Sequence, residues 1–360
     1  MNVSVKPRIH DLDFYRAFGI LAVVVIHMTS YPVVRMRREP DSAAAIFYTF
    51  WNGISQFAVP AFIFLSGLVL FYNYWSPERR SRSWIGTFYR KRLLLIFVPY
   101  ALWSFIYFLI MEIERGRLPF LNLGQFFLSL VTGQNYEHLY YFIMLSQFYI
   151  LFPLLLMAVR SIKMARQLIP FVFVFQACFY FLNLHLLHWQ SGDVFITYFL
   201  QFSLGALMGM GYENAMGKLR KWAGLFFFVF IGSGLCYVFA GRLYYEWVPA
   251  LLPYKMYLNF IIYCVFTVSA SLALLLAARF LSLHLTGALA RALSAIGAGS
   301  FAIFLIHPLL LHYWRMAVVD RYGQYYHYLT LLGGAVVLFL SWAFYKMARR
   351  WKWSWILIGR

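Results

Sequence analysis

Arg16 and His27 stand eleven positions apart inside one apolar run, DFYRAFGILAVVVIHM. At about 100° per residue, eleven residues return to within about 20° of the starting direction, so both side chains project from one helix face. Along the axis they lie about 16 Å apart. A guanidinium binds anions through a permanently charged fork of donors. An imidazole takes up and returns a proton near neutral pH. Each residue also has a plainer reading, the arginine as a membrane-edge side chain snorkelling to water and the histidine as a hydrogen-bonded packing residue. Ionisable groups at membrane depth are costly, which weighs toward function, most of all for His27. Asp13, one turn before Arg16, is spaced to hold its guanidinium.

The elements that must position these groups are membrane helices. Of 360 residues, 63% are hydrophobic and 12% charged, whereas about a quarter of a soluble protein is charged. At roughly 20 apolar residues per crossing, the chain reads as an all-α integral membrane bundle of about ten helices. They fall near 13–34, 45–73, 93–113, 138–159, 167–187, 194–212, 222–241, 256–279, 295–316 and 327–348. The runs are too long for barrel strands. The first is too long for a cleavable signal and lacks a small-residue cleavage site. No repeat or long polar tract interrupts them, so residues 1–360 read as a single transmembrane domain with no separate soluble domain.

Charge sets the expected orientation. With both termini cytoplasmic, the inner segments hold 21 basic residues, among them Lys6, Arg79, Arg80, Arg82, Arg90, Lys91 and Arg92, and the outer loops hold nine. The trio Arg35, Arg37 and Arg38 runs against the trend and suits lipid phosphates or an anionic acceptor. The net charge of +19 therefore reports topology, and no nucleic-acid partner is inferred. None of the twelve acidic residues lies mid-span, Asp13 and Glu112 falling at span edges, which weakens a proton-coupled transporter reading. Cys178, Cys236 and Cys264 are scattered through the spans as packing residues, with no metal-ligand spacing.

Five blocks in order resemble the membrane-bound acyltransferase-3 family. LDFYRAFGILAVVVIH carries the arginine and histidine with ten residues between them. VPAFIFLSG (Val59 to Gly67) resembles the family's Val-Pro-x-Phe-Phe-x-x-Ser-Gly. FYRKRLLLIFVPY (Phe88 to Tyr100) resembles its basic lead-in to the third span. HLYYFIMLSQFYILFPLL (His138 to Leu155) is similar to its His-Leu-Trp-Phe block, with tyrosines in place of Trp-Phe. GSFAIFLIHPLLL (Gly299 to Leu311) resembles its Ser-x-x-Ile-Tyr-Leu-x-His-Pro, with Phe304 at the tyrosine position.

The resemblance implies a multi-pass protein of the bacterial plasma membrane. It would transfer an acyl group, usually acetyl, from cytoplasmic acyl-CoA to a sugar-containing acceptor such as a cell-surface glycan or lipid-linked saccharide. His27 is then the general base, or alternatively an acyl-histidine relay. Arg16, Arg90 and Arg92 bind the polyanionic donor. Ser66, His138, Tyr141 and His307 are acceptor-site or structural candidates, and Ser66-Gly67 chiefly permits close helix packing. Pro60 is placed to kink the second span. Rings such as Tyr140, Tyr141, Trp189, Tyr244, Tyr245 and Trp247 can stack on sugars. Acyl-CoA is a donor substrate, and no metal or permanently bound cofactor is implied. Some members carry an esterase-like outer domain. None follows the tenth span here, so the acceptor is acylated directly or the group passes to a separate extracytoplasmic transferase. The rival readings are a glycan or small-solute exporter without chemistry, and a membrane-anchored sensory or assembly partner.

Overall fold

Pro60 stands just after a 3-10 turn, and Pro308 lies within a helix. A computed structural model describes residues 7–76, 84–117 and 121–359; Lys6, Arg79, Arg80 and Arg82 lie outside the described residues. The chain opens with α1 (Asp11–Arg35) and α2 (Ala43–Ile54). A 3-10 turn at Ser55–Phe57 leads from α2 into α3 (Ala58–Tyr74), and Pro60 excludes a regular helix through that turn. Then come α4 (Ile85–Arg92), a π-turn at Leu93–Phe97 ahead of Pro99, α5 (Val98–Glu114), the short α6 (Leu123–Thr132), α7 (Tyr140–Ala158) and α8 (Ile162–Leu182). After a looped segment follow α9 (Phe199–Met210), α10 (Tyr212–Arg220), α11 (Ala223–Val238), α12 (Ala240–Arg242) and α13 (Lys255–His284). The chain closes with α14 (Gly287–Ala298), α15 (Ser300–Trp314), α16 (Tyr326–Ala348) and α17 (Ser354–Ile358). No strand occurs among the described residues.

Among the described residues eight helical stretches are long and apolar enough to cross a membrane, and a ninth arises if α10 and α11, bent by 78°, form one broken span. The sixth expected crossing is the shorter apolar helix Phe195–Met210, about 24 Å long against a hydrocarbon core of about 30 Å. α9 lies against α3 so closely that a methyl group on Gly205 would overlap the Phe64 carbonyl, and one on Gly67 the Phe202 carbonyl. Glycine lets the two backbones meet, the small-residue packing expected at Gly67. α6 and α14 escaped the sequence reading because each is shorter than a full crossing.

α1 runs through the centre, packed against α2, α3, α13, α14, α15 and α16. Its first turn is fixed by buried carboxylates. Asp11 accepts from the Tyr212 hydroxyl (2.8 Å) and from Arg279 (2.9 Å). Asp13 accepts from Arg8 (2.5 Å) and Arg16 (3.1 Å). Paired donors offset the cost of burying these acids. Arg8, Asp13 and Arg349 line one surface depression, so the start of α1 and the end of α16 lie at the same end of the bundle, the terminal end.

Candidate active site

Three histidines meet toward the far end, one from each of three chain segments. Ring centroids are 5.0 Å apart for His27 and His307, 5.9 Å for His138 and His307, and 6.4 Å for His27 and His138. His307 owes its place to Pro308. The proline has no N–H to donate, and its ring opens the α15 ladder. The Tyr107 hydroxyl fills the opening, donating to the Leu305 carbonyl (2.8 Å) and accepting from the Leu309 N–H (3.2 Å). Helix α5 thus clasps α15 at its break. His307 Nδ1 donates to the Ile303 carbonyl (2.9 Å), which leaves Nε2 a lone pair, buried and without a protein partner.

His138 enters from the turn before α7. It is 2% exposed, and neither ring nitrogen has a hydrogen-bond partner. The rings of Tyr107 (5.1 Å) and Phe304 (5.2 Å) pack around it. Buried polar atoms normally find partners, so unpaired nitrogens at one place mark a site built for something else. His27, on α1, keeps 18% of its side chain exposed, and its Nδ1 lies 3.6 Å from Glu137 Oε1, within ion-pair reach. Glu137 sits outside the helices, and the His27 imidazole beside it, assisted by Arg315, holds its carboxyl below the ordinary glutamate range against the opposing effect of desolvation.

Two hollows approach this cluster from opposite ends. The terminal-end cavity, about 500 Å³, is lined at its mouth by Arg8, Arg16 and Arg92 and deeper in by Ser66, Tyr141 and Phe304. Among the described residues no acid lines it, and the single Asp13 carboxylate that pairs with Arg8 and Arg16 leaves the cations in excess, so its field favours an anion. The Arg92 guanidinium lies 4.8 Å over the Tyr149 ring, and its Nε is buried without a hydrogen-bond partner. The far-end hollow, about 80 Å³, is lined by His27, Glu137, Tyr136, His312 and Arg315 among others. There His312 lies 3.0 Å from the Glu114 carboxylate. Between the hollows stand His138, His307 and Phe304, all buried, and Tyr141, whose ring centroid is 5.3 Å from that of Phe304.

Of the residues singled out from the sequence, His27, His138 and His307 come together, and Arg16, Arg92, Ser66 and Tyr141 line the terminal-end cavity. Arg90 does not line it. Two positions before Arg92 on the same helix, it points about 200° away and is exposed. The Ser66 hydroxyl donates to the Phe62 carbonyl (2.9 Å), a packing role. The sequence reading missed Glu137 as the partner of His27, Tyr107 as the clasp on α15, Arg8 at the cavity mouth, and the Ile358–Gly359 backbone in its wall. Glu137 alone had a local signal, as an acid next to His138 at a span boundary. Among the described residues no three His, Cys, Asp or Glu side chains converge closely enough to hold a metal ion.

A family model described as "Acyltransferase domain", that of the acyltransferase-3 family, matches residues 9–356. A probable poly-beta-1,6-N-acetyl-D-glucosamine export protein of Staphylococcus aureus (strain MSSA476) is 24% identical over 322 residues, covering 84% of this chain and 82% of the relative. The protein of the same description from Staphylococcus epidermidis is 23% identical over 312 residues, covering 84% and 81%. No solved structure matches. The family match runs from before α1 into α17 and takes in all three site histidines and both cavity arginines of α1 and α4; the chain belongs to the acyltransferase-3 family of multi-spanning membrane proteins.

Proposed function

We propose that the protein is an O-acyltransferase of the bacterial plasma membrane that moves an acyl group, acetyl in the simplest case, from acyl-CoA to a hydroxyl of a glycan or lipid-linked saccharide. One observation carries this reading: an arginine-lined cavity runs in to Phe304, whose ring neighbours His138 (5.2 Å) and His307 (6.1 Å), while a separate far-end hollow is lined by His27, whose ring lies 5.0 Å from that of His307. The donor's phosphates rest on Arg8, Arg16 and Arg92, and its thioester arm extends past Ser66 toward Tyr141 and Phe304. The acceptor hydroxyl arrives beside Glu137. His27 takes the hydroxyl proton as the oxygen attacks the thioester carbonyl. The C–O bond forms, the C–S bond breaks, and the imidazolium returns its proton to the departing thiolate. Ionised Glu137 orients the ring and stabilises the imidazolium, the part a carboxylate plays beside a catalytic histidine. His138, with two unpaired nitrogens, supplies an N–H to the developing oxyanion.

The test is acyl-CoA turnover and acceptor acylation by purified protein. His27→Ala is expected to lower kcat by about 10² to 10⁴, the usual contribution of a positioned base; wild-type rates in that variant would overturn the assignment. The description of the Staphylococcus relatives as probable export proteins favours a second reading, export of a saccharide without chemistry. Transport of unmodified saccharide into liposomes lacking acyl-CoA, unaffected by Arg92→Ala, is the result that would select it.

A further inference from the structure

A third hollow, about 310 Å³, lies apart from the transfer site among α8, α9, α11, α13 and the loop before α9. Tyr180, Tyr198, Tyr237 and Tyr263 line it together with Asn259 and Thr197, and among the described residues no Asp, Glu, Lys or Arg does. Such a lining has no means of neutralising an ion. It offers what a sugar ring requires, flat apolar faces for its C–H surface and hydroxyl and amide groups for its edges.

The loop that walls this hollow is held in shape before any ligand arrives. Asn183 accepts from the Trp189 N–H (2.9 Å) and donates to the Trp189 carbonyl (3.1 Å) and to Ser191 Oγ (2.9 Å). The Thr197 hydroxyl donates to the Ser191 carbonyl (2.6 Å). From α7, Gln147 donates to the Asp193 carbonyl (2.6 Å) and accepts from the Phe195 N–H (3.1 Å). Within the loop His188 adopts φ 52°, the one non-glycine residue with positive φ among those described. Backbone strain of this kind persists where surrounding contacts enforce it, and it gathers at ligand clamps. Gly192 faces the ring of Tyr140, which follows His138 by two residues, so the hollow and the histidine cluster flank the first turn of α7 from different sides.

We infer that this tyrosine-lined hollow binds an uncharged sugar unit. Its use as a second subsite for the acceptor rests on the acyl-transfer reading; the binding itself does not. The experiment is saturation-transfer NMR on the full chain in lipid nanodiscs, with maltose, N,N′-diacetylchitobiose and the dicationic chitobiose as probes. At least one neutral disaccharide is expected to bind and chitobiose to be rejected. Gly192 lines the hollow, and a Cβ there would meet the Tyr140 ring at 3.4 Å, an ordinary contact, so Gly192→Leu adds bulk to the wall of the hollow and is expected to weaken binding. Tyr263→Phe keeps the packing, removes one hydroxyl, and is expected to weaken binding roughly tenfold; it decides the matter if Gly192→Leu unfolds. Silence from both neutral sugars, equal binding of chitobiose, or wild-type affinity in both variants would overturn the site. His27→Ala, which tests the transfer reading in acyl-CoA turnover, is expected to retain sugar binding, so the two proposals fail separately.

Discussion

His27 and Glu137 come from segments 110 positions apart and meet at 3.6 Å, so this contact carries information that neither residue holds alone. The neighbouring imidazole holds the Glu137 carboxyl below its ordinary range. For a carboxylate lowered in this way, the favourable interaction is fully present above the ordinary glutamate pKa and lost as pH falls through the lowered value. At neutral pH Glu137→Gln is expected to reduce kcat by a smaller factor than His27→Ala. Profiles of kcat against pH for wild type and variant should show the acid-side loss that belongs to carboxylate protonation in the first and not in the second. Identical profiles would remove Glu137 from the mechanism. The arginines divide in the same way. Arg92 faces the cavity and Arg90 faces away, so Arg92→Ala should raise KM for acyl-CoA well above any effect of Arg90→Ala, with kcat less affected.

At the scale of elements, the site depends on interruptions as much as on helices. Pro308 opens α15, and the Tyr107 hydroxyl closes the gap from α5. Tyr107→Phe keeps the ring and strands the Leu309 N–H and Leu305 carbonyl. It is expected to cost about 1–3 kcal/mol, the penalty for an unsatisfied buried group, and to lower the unfolding temperature together with kcat, because His307 occupies the same turn. The sequence foretold this region in part. The long apolar runs fixed the class of fold, since about 20 apolar residues leave few alternatives to a membrane helix. The Arg16–His27 periodicity placed both on α1, and the Pro60 and Gly67 readings matched the break before α3 and its approach to α9. What stayed hidden is long-range or sub-length. α6 and α14 are too short for a ruler set by bilayer thickness. Tyr107, Arg8 and Gly359 reach the site only through tertiary packing, which no local pattern announces.

Across the whole molecule, the cationic cavity opens at the terminal end, and the Glu137 hollow opens at the other. A polyanionic donor made in the cytoplasm can use the first only if the terminal end faces inward, the orientation that the distribution of basic residues favours. Two glycines allow that orientation to be read. Gly217, in α10 beside the terminal-end network, and Gly323, in the far-end loop before α16, both have open space where a side chain would begin. Cysteine at either position is therefore accommodated without repacking. Cys178 and Cys236 are exposed and would report on their own, and Cys264 is buried, so the background is a variant with all three replaced by serine or alanine. In whole cells a membrane-impermeant maleimide is expected to label Gly323→Cys at once and Gly217→Cys only after permeabilisation. The reverse pattern would place Arg8, Arg16 and Arg92 on the outer side, out of reach of cytoplasmic acyl-CoA, and the donor assignment would fall with it.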